Sequence, residues 1–567
     1  MEQILAKEAF LRQLKADGID VIFGNPGTTE ESLLDAIGHF DGIKYTLGLQ
    51  EASVVAMADG WARLKRKPAA VQLHSSVGLG NALGILYEAS RSHTPMVVFA
   101  GETYSDLQAF DGFLAGDLAA IARPVTKWST RITHGMQLLR ELRRAIKVAA
   151  APPQGPVFLA LPMDVLDTMV DAEIHPTSFI PRLGPCSDEA ARKIAKHLVS
   201  AKWPTLLIGD GVSVSNAQAE LRTLANLLAC PTWGVEFNEL SASFRDPMFL
   251  GLTGHSFGDN TRALLKNADA VLAIGTPLFP ELFPSRLPYF QPDSVLMQID
   301  TDSWEIAKNF PVEVAAQADP KESLARILAA VKRVIPANQQ EIAARRKAVR
   351  KLKRENRQRE TDQYKSVPDT PANMSPGTCM QVLAEEVSNK ALIYDESITS
   401  TAPLLHFLQP GKPQSYILAR GGCIGVGWPG AIGASFALPD LKIVAPSGDG
   451  SALYALQSLW TAVAHNRNVI FVVCNNESYR ILKINLLHYW HDTNLPKGPF
   501  PFMDLRSPDI DFCMVARSFG MAATKVNSAS ALRKYLRAAL VQNGPTLIEA
   551  MINGSVDTEI KSLMKTS

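Results

Sequence analysis

An acid and two amides stand at the ends of two apolar runs in the last third of the chain. Asp449 follows "LKIVAPSG", and Asn475 and Asn476 follow "VIFVVC". Both runs predict buried strands, and the stretch 451–465 between them predicts a helix that crosses from one strand to the next. The ends of neighbouring parallel strands lie at one sheet edge, where α/β proteins bind ligands. We therefore expect Asp449 and Asn476 to share a site.

Oxygen ligands of this kind suit a hard divalent cation such as Mg²⁺, which usually keeps phosphate oxygens and water in its shell. Asp449 offers a carboxylate, Asn476 offers an amide oxygen, and the backbone near Ser478 can add a carbonyl. The alternative is an ordinary tight turn with an asparagine cap. The second asparagine at the next strand end favours the metal site.

A diphosphate is the ligand that such an ion would hold. Gly448 and Gly450 on either side of the acid permit a close approach to the backbone. The helix predicted to begin at Ser451 offers free N–H groups to phosphate oxygens. The pattern therefore predicts a clamp for a metal ion and a diphosphate.

The elements that position this site belong to an α/β chain of three doubly wound parallel-sheet domains. Short apolar strands that end in polar turns alternate with helical stretches in all three parts of the 567 residues. We expect an N-terminal domain over 1–180, a central domain over 185–340, a charged helix or linker over 341–369, a C-terminal domain over 370–555 and a tail over 556–567.

Composition excludes several classes of protein. A net charge of +1 with 20% charged residues argues against nucleic acid or an anionic membrane surface as the main partner. No run approaches the roughly 20 apolar residues that span a bilayer, and the N-terminus carries no apolar signal segment. The six cysteines are scattered, which is typical of free thiols in a reducing compartment. We expect a cytoplasmic enzyme.

Several motifs besides the opening one carry a resemblance to a known family. "FGNPGTTE", "LQEASVVAMADGWAR", "LHSSVGLGNALG" and "ARGGCIGVGWPGAIGASFA" occur along the chain, with "GDG" and "NN" after them. Together they resemble the thiamine diphosphate-dependent 2-oxo acid decarboxylases and carboligases, the family of benzoylformate decarboxylase and acetolactate synthase. The resemblance implies that Asp449 and Asn476 bind the Mg²⁺ ion that carries the diphosphate of this cofactor.

The resemblance also assigns roles to residues that contact the cofactor. From the sequence alone, Glu51 is an acid at a helix start, where the helix dipole favours it. By resemblance it hydrogen-bonds the aminopyrimidine ring and favours the imino tautomer, which takes the thiazolium proton and gives the ylide. Ile424 matches the apolar wedge under the bent cofactor, and Gly422 matches the carbonyl that faces the pyrimidine amine. Glu396 and Ser397 open a segment similar to one that contacts the diphosphate.

His74 and Thr28 are the other catalytic candidates. His74 ends a predicted strand, where a histidine is often structural; the resemblance makes it an acid/base group. Thr28 matches a serine that faces the substrate carboxylate. The family's decarboxylase has a second histidine where this chain has Leu282, so another group or water must protonate the product. The motifs place none of the remaining candidates, His255, His488 and His491.

The stretch after the asparagines is the candidate substrate pocket. If "ESYRILKINLLHYWHDTN" is helical, Ile481, Leu482 and Asn485 share a face that can look at the cofactor. Arg480 and Lys483 could meet an acidic substrate or one that carries CoA, and a surface position is the alternative.

These observations predict an enzyme that decarboxylates a 2-oxo acid, with possible carboligation of the product carbanion. The alternatives are a carboligase similar to acetolactate synthase, a lyase for 2-hydroxyacyl-CoA or oxalyl-CoA, and a cofactor-binding protein without catalysis. The central "LIGDGVSVSN" has the form of a dinucleotide turn and could hold FAD, ADP or nothing. The resemblance implies a homodimer or a dimer of dimers with active sites shared between chains.

Overall fold

A computed structural model describes residues 2–235, 237–253, 257–279, 281–335, 339–388, 390–420, 422–557 and 560. They form two compact units, one of 1–179, 365–407 and 419–567, the other of 180–364 and 408–418. The chain contains three parallel sheets with accompanying helices. The predicted α/β class with three parallel-sheet domains is therefore confirmed, and the exact domain boundaries remain predictions.

The N-terminal sheet is entirely parallel, with the strand order β3-β2-β4-β5-β7-β6. A separate antiparallel pair joins β1 to β8. The elements are β1 Gln3–Leu5, α1 Ala6–Ala16, β2 Val21–Gly24, α2 Glu31–Gly38, β3 Lys44–Leu47, α3 Glu51–Lys65, β4 Ala69–Leu73, α4 Ser75–Arg91, β5 Met96–Glu102, α5 Leu118–Ala122, β6 Trp128–Arg131, α6 Gly135–Ala150, β7 Pro156–Pro162, α7 Met163–Leu166 and β8 Met169–Asp171.

The central sheet is also parallel, in the order β11-β10-β9-β12-β13-β14. Its elements are α8 Asp188–Ser200, β9 Pro204–Ile208, α9 Asp210–Val214, α10 Gln218–Leu228, β10 Thr232–Gly234, β11 Phe249–Leu252, α11 Gly258–Leu265, β12 Ala270–Ile274, β13 Val295–Asp300, β14 Val314–Gln317, α12 Pro320–Val334 and α13 Gln339–Lys365.

The densely charged stretch forms the helix α13, and one side of it packs on the central unit. Arg345 is only 7% exposed and donates to the carbonyls of Leu228, Ala201 and Lys202. Burial lowers the pKa of this guanidinium. The composition of α13 suggests a fully solvated helix, yet Arg345 donates hydrogen bonds to backbone carbonyls at the C-terminal ends of α8 and α10.

The C-terminal part completes the first unit, where five parallel strands run in the order β15-β17-β18-β20-β19. The elements are α14 Pro376–Val387, β15 Ala391–Asp395, α15 Thr401–Leu408, α16 Gly427–Ala437, β17 Lys442–Gly448, α17 Asp449–Ala452, α18 Ser458–Ala464, β18 Val469–Asn475, α19 Arg480–Asp492, α20 Phe512–Ser518, β19 Ala522–Val526, α21 Ala529–Val541 and β20 Thr546–Met551. The short strand β16 Tyr416–Leu418 belongs to the second unit.

Helices α3 and α16 join the N-terminal and C-terminal parts of the first unit. Glycines permit the close crossing: a Cβ added to Gly60 would lie 2.0 Å from the carbonyl oxygen of Gly430. A buried ion pair between Asp59 and Arg63 lies on the same helix, and the hydroxyl of Tyr394 donates to Asp59 at 3.3 Å. Backbone packing and a satisfied polar network therefore hold the two parts together.

Within the described residues, no helix combines the length and the apolar character that crossing a bilayer requires.

Candidate active site

Asp449 and Asn476 lie together, as the sequence predicts. Strands β17 and β18 are parallel neighbours, with Gly448 opposite Cys474, so their carboxyl ends meet. The Asp449 carboxylate accepts hydrogen bonds from the N–H groups of Asn476 and Ser478, each at 3.2 Å. The Oδ1 atom of Asn476 accepts from the N–H and the hydroxyl of Ser478, both at 3.0 Å. The predicted carboxylate and amide ligands therefore form one cluster.

Burial is the dominant influence on the Asp449 carboxylate. Asp449 is 3% exposed, and desolvation raises its pKa to about 6, against the opposing effect of backbone N–H groups. Among the residues that the structure describes, no lysine or arginine forms an ion pair with it. A buried carboxylate without a counter-charge, beside an amide oxygen, is a donor set that fits a hard divalent cation.

Two residues at this sheet edge adopt the left-handed backbone region that side chains disfavour. Ile398 has φ +52° and Glu477 has φ +55°. A β-branched residue such as Ile398 is a marked outlier there, and such strain concentrates at binding sites. Ser397, with φ −80° and ψ 1°, precedes Ile398, and its N–H donates to Oδ1 of Asp395 at 2.7 Å, so the protein's own carboxylate occupies the first N–H group of this turn.

The predicted long helix after Asp449 is wrong. The sequence indicates one helix over 451–465, but the structure has the four-residue α17 and then α18, which begins at Ser458. Between α17 and α18, backbone hydrogen bonds join residues three positions apart, for example from the Tyr454 N–H to the Ser451 carbonyl at 3.1 Å. So short a helix has little dipole, and the predicted helix N-terminus at Ser451 is reduced to a single turn.

The two glycines beside Asp449 differ in their surroundings. A Cβ added to Gly450 would lie 2.5 Å from the ring of Tyr479, so the ring's approach requires glycine there. At Gly448 an added Cβ would make one ordinary van der Waals contact, with the Ser451 hydroxyl at 3.9 Å, and no other neighbour lies as near. The Tyr479 ring fills the space beside Gly450, whereas the less crowded space beside Gly448 can accept a ligand.

Glu396 has a structural task that the sequence does not reveal. Its carboxylate accepts from the N–H groups of Gly425, Val426 and Gly427 at 2.8, 3.0 and 2.9 Å. Its own backbone joins β17, where it accepts from the Gly448 N–H at 3.1 Å. Burial raises the pKa of Glu396 to about 7. Glu396 therefore ties the loop that carries Gly422 and Ile424 to the edge that carries Asp449.

Glu51 lies at the start of α3, in a second cluster. It is 7% exposed, and its Oε2 atom accepts from the side-chain amide of Asn81 at 3.1 Å. A Cβ added to Gly78 would lie 2.9 Å from Oε1 of Glu51 and 3.3 Å from Cβ of His74. Glu51 and His74 are thus neighbours at the N-terminal ends of α3 and α4.

His74 is held by a carboxylate that sequence reasoning missed. Its Nδ1 atom lies 3.0 Å from Oε2 of Glu30 and 3.3 Å from the hydroxyl of Thr29. Glu30 is 2% exposed and also accepts from the Gly101 N–H at 2.6 Å. With Nδ1 directed to Glu30, Nε2 is the ring nitrogen left for a substrate. Thr28 is exposed beside this cluster, in the 3₁₀ turn Thr28–Glu30.

The Glu51 cluster and the loop of Gly422 and Ile424 contact different parts of α4. Gly78 contacts Glu51 near the start of this helix, whereas Glu88 near its end accepts from the N–H of Cys423 at 2.6 Å. The ten residues between Gly78 and Glu88 correspond to about 15 Å of helix. The same loop also meets α4 at Gly84, where an added Cβ would lie 3.2 Å from Sγ of Cys423, so its contacts begin about 9 Å of helix after Gly78.

The stretch after the asparagines is helical, as predicted, and forms α19, while its role as the substrate pocket stays a prediction. Ile481 and Asn485 are half-buried and Leu482 is exposed. Oδ1 of Asn485 is buried and lacks a hydrogen-bond partner within the described chain. Lys483 donates to Asp504 at 2.6 Å and Arg480 donates to the Ser555 carbonyl at 3.1 Å, so both cations have partners in the protein.

In the central unit, the "LIGDG" glycines have a packing role. A Cβ added to Gly211 would lie 2.6 Å from the Cα of Gly275, and the Gly211 N–H donates to the Gly275 carbonyl at 3.0 Å. Leu282, at the place of the missing histidine, is exposed. Among the other histidines, His491 contacts Asp492 at 3.0 Å, burial lowers the pKa of His488, and His255 lies outside the described residues.

Three parallel sheets with a carboxylate and an amide at neighbouring strand ends are typical of α/β enzymes, which bind their ligands at this edge of a sheet. The sequence matches models of the thiamine pyrophosphate enzymes: the N-terminal TPP binding domain over 5–122, the central domain over 191–327 and the C-terminal TPP binding domain over 399–550. Together these matches cover more than half of the chain. The chain belongs to the thiamine pyrophosphate (thiamine diphosphate)-dependent enzymes, which confirms the predicted family, and the prediction of a decarboxylase or lyase that uses this cofactor.

Similar proteins span nearly the whole chain. Benzoylformate decarboxylase of Pseudomonas aeruginosa is 28% identical over 551 residues, which cover 94% of this chain and 96% of the relative. A probable acetolactate synthase large subunit of Methanococcus aeolicus is 26% identical and covers 97% and 92% of the two chains. The solved thiamine diphosphate-dependent 4-hydroxybenzoylformate decarboxylase of Rhodococcus jostii RHA1 has a TM-score of 0.83 at 25% identity, with 97% and 99% covered.

Proposed function

We propose that this chain decarboxylates a 2-oxo acid with thiamine diphosphate and Mg²⁺, and that an aromatic 2-oxo acid similar to benzoylformate is its substrate. The observation that carries this proposal is the meeting of Asp449 and Asn476 at the ends of β17 and β18. Two of the similar proteins are named as decarboxylases of benzoylformate or 4-hydroxybenzoylformate, which supports the substrate class.

Mg²⁺ would take the Asp449 carboxylate, the carbonyl of Ser478 and the Asn476 amide oxygen, which becomes available when the Ser478 hydroxyl turns away from it. The Ser478 carbonyl accepts one hydrogen bond, from the Arg480 N–H at 2.8 Å, and a carbonyl has a second lone pair for an ion. The Ser397 hydroxyl, the backbone at Ile398 and the side of Gly448 that faces the Ser451 hydroxyl would receive the diphosphate. Thiamine diphosphate, when bound, supplies an electron sink for the carbanion that decarboxylation leaves.

The residues of the N-terminal cluster would act on the other end of the cofactor and on the substrate. Glu51 is buried, and its carboxylate accepts from Asn81, which orients it for a hydrogen bond to the pyrimidine ring. His74, held through Nδ1 by Glu30, would move a proton through Nε2. Thr28 would place its hydroxyl near the substrate carboxylate. Ile481, Leu482 and Asn485 would border the substrate.

The active site would be shared between two chains. A cofactor bent over Ile424 needs a partner for its pyrimidine ring close by, yet Glu51 of the same chain meets α4 at Gly78, about 9 Å of helix or more before the points that the loop contacts. Exposed apolar side chains also border both clusters: Leu49 and Val77 near Glu51, and Tyr454 and Leu482 near Asp449. A second copy that covers these surfaces would bring Glu51 of one chain to the loop of the other, in a homodimer or a dimer of dimers.

A carboligase similar to acetolactate synthase is the second candidate, which the relative of Methanococcus aeolicus favours. The two differ in what captures the product carbanion: a proton in decarboxylation, or a second carbonyl compound in carboligation. The chain lacks a histidine at Leu282, so proton delivery there depends on water or on another group.

The test is a substrate panel on the purified protein with thiamine diphosphate and Mg²⁺. Benzoylformate, 4-hydroxybenzoylformate, pyruvate, 2-oxobutyrate and oxalyl-CoA would each be assayed for CO₂ release, with identification of every product. We expect the aromatic acids to give CO₂ and the corresponding aldehyde fastest. Acetolactate from pyruvate as the main product would replace this proposal with the carboligase, and turnover of oxalyl-CoA alone would replace it with a CoA lyase. A cytoplasmic location also stays a proposal, for which fractionation of the source cells is the test.

A further inference from the structure

The peptide unit between Gly422 and Cys423 is held by a carboxylate from the N-terminal part of the same unit. Oε1 of Glu88 accepts the Cys423 N–H at 2.6 Å, across 335 positions of sequence. Glu88 is 5% exposed and projects from α4. A short bond from a buried carboxylate is among the stronger hydrogen bonds that a protein makes.

The geometry of a peptide determines what this bond does to the neighbouring carbonyl. The Gly422 carbonyl and the Cys423 N–H belong to one planar unit, and in a trans peptide they point in opposite directions. A carboxylate that binds this N–H therefore aims the Gly422 carbonyl away from Glu88. Gly422 itself is exposed, so the carbonyl is directed to a side that a ligand can reach.

The packing around the loop leaves this peptide little freedom. A Cβ added to Gly422 would lie 2.3 Å from Oε1 of Glu88, and a Cβ added to Gly84 would lie 3.2 Å from Sγ of Cys423. On the other side, Glu396 binds the N–H groups of the next part of the loop, from Gly425 onward. Glu88 fixes the start of the loop and Glu396 fixes its end.

We propose that Glu88 is a positioning residue that sets the direction of the Gly422 carbonyl, and thereby the acceptor for the amine of the cofactor's pyrimidine ring. The inference rests on the proposed function, because the carbonyl has this partner only if thiamine diphosphate binds over Ile424. Glu88 acts through the peptide plane and does not touch the cofactor itself.

The test compares Glu88→Met with Glu88→Gln in the full-length protein. Methionine has a similar length but cannot accept the Cys423 N–H, whereas the glutamine oxygen can. Glu386→Met is the matched control, because it removes another buried carboxylate whose partners are Arg533 and Arg537. The readouts are the affinity for thiamine diphosphate with Mg²⁺, by calorimetry, and the rate of deuterium exchange at C2 of the bound cofactor, by quenched-flow NMR.

We expect Glu88→Met to slow C2 exchange about tenfold or more, the cost of losing a hydrogen bond to a charged group. Glu88→Gln and Glu386→Met should stay within about threefold of the unmodified protein. Equal exchange rates in Glu88→Met and the unmodified protein would overturn the positioning role. If Glu88→Met fails to fold, Glu88→Gln carries the test: a loss of exchange of about tenfold or more in this folded variant, whose oxygen still accepts the Cys423 N–H, would overturn the role too. No cofactor binding by the unmodified protein would refute the proposed function, and this inference with it.

Discussion

Gly433 and Met57 are in direct backbone contact where α16 crosses α3. A Cβ added to Gly433 would lie 1.7 Å from the carbonyl oxygen of Met57. Helix α3 begins at Glu51, and α16 follows the loop of Gly422 and Ile424. The crossing therefore fixes the relation between the candidate pyrimidine-binding and diphosphate-binding parts of the unit.

Gly433→Ala should destabilise the protein by about 3 kcal/mol or more, because backbone atoms cannot yield to the added methyl. Gly38→Ala is the control: nothing lies within 4 Å of an added Cβ at this helix end. Its effect should stay within about 1 kcal/mol. Urea unfolding of the cofactor-free proteins, followed by circular dichroism, would measure both. Equal midpoints for the two variants would show that the helices can separate without cost.

The buried carboxylate of Glu396 should make stability depend on pH. Burial raises its pKa to about 7 from an ordinary value of 4.5. The unfolded chain therefore loses this proton at lower pH than the folded chain. The protonated Glu396 therefore stabilises the folded state fully below about pH 4.5. This stabilisation is lost as the pH rises to about 7, and the free energy of unfolding falls by up to about 3 kcal/mol.

Glu396→Gln, which cannot ionise, tests this directly. Between pH 4.5 and pH 7, its unfolding temperature should rise relative to that of the unmodified protein. A second effect is independent of pH: the glutamine NH₂ group faces the Gly427 N–H, which lowers the stability of the variant by a constant amount. Thermal unfolding of metal-free and cofactor-free protein at a series of pH values is the measurement. A constant difference between the two proteins across that range would mean that Glu396 is ionised in the folded state throughout.

The sequence allowed the prediction of Asp449 and Asn476 as a pair, because strand ends at one sheet edge follow from the strand pattern alone. It did not reveal Glu30 or Glu88. Their partners lie 44 and 335 positions away, and only tertiary packing brings them together. The break after Asp449 was missed for a related reason: "SALYALQSLWTAVAH" has helical composition, and the interruption depends on local backbone bonds that composition does not encode.

His74→Ala should reduce kcat by at least about 100-fold while the affinity for thiamine diphosphate changes little, because an acid/base group acts on the substrate. Glu30→Leu should reduce kcat by a smaller factor, since it removes the carboxylate that orients the imidazole but leaves the imidazole. Steady-state kinetics and cofactor titration would separate the two effects. Parallel losses of kcat and cofactor affinity in His74→Ala would indicate a structural histidine.

Two inactive variants should complement each other if the site is shared between chains. Glu51→Gln removes the carboxylate at the pyrimidine end, and Asp449→Ala removes the metal ligand at the diphosphate end. Mixed dimers formed by joint refolding would contain one intact site, so up to about a quarter of the activity should return for random pairing. Each variant refolded alone is the control. Activity from a monomer in sedimentation, without complementation, would place both ends in one chain.

The most direct measurement of the central claim is reconstitution of protein stripped of metal and cofactor. Benzoylformate turnover should be absent in the stripped protein, should return only when thiamine diphosphate and Mg²⁺ are added together, and should not return in Asp449→Ala, where the ion loses its carboxylate ligand. Full turnover by the stripped protein, or normal reconstitution of Asp449→Ala, would contradict the assignment of Asp449 and Asn476 as the metal and cofactor site.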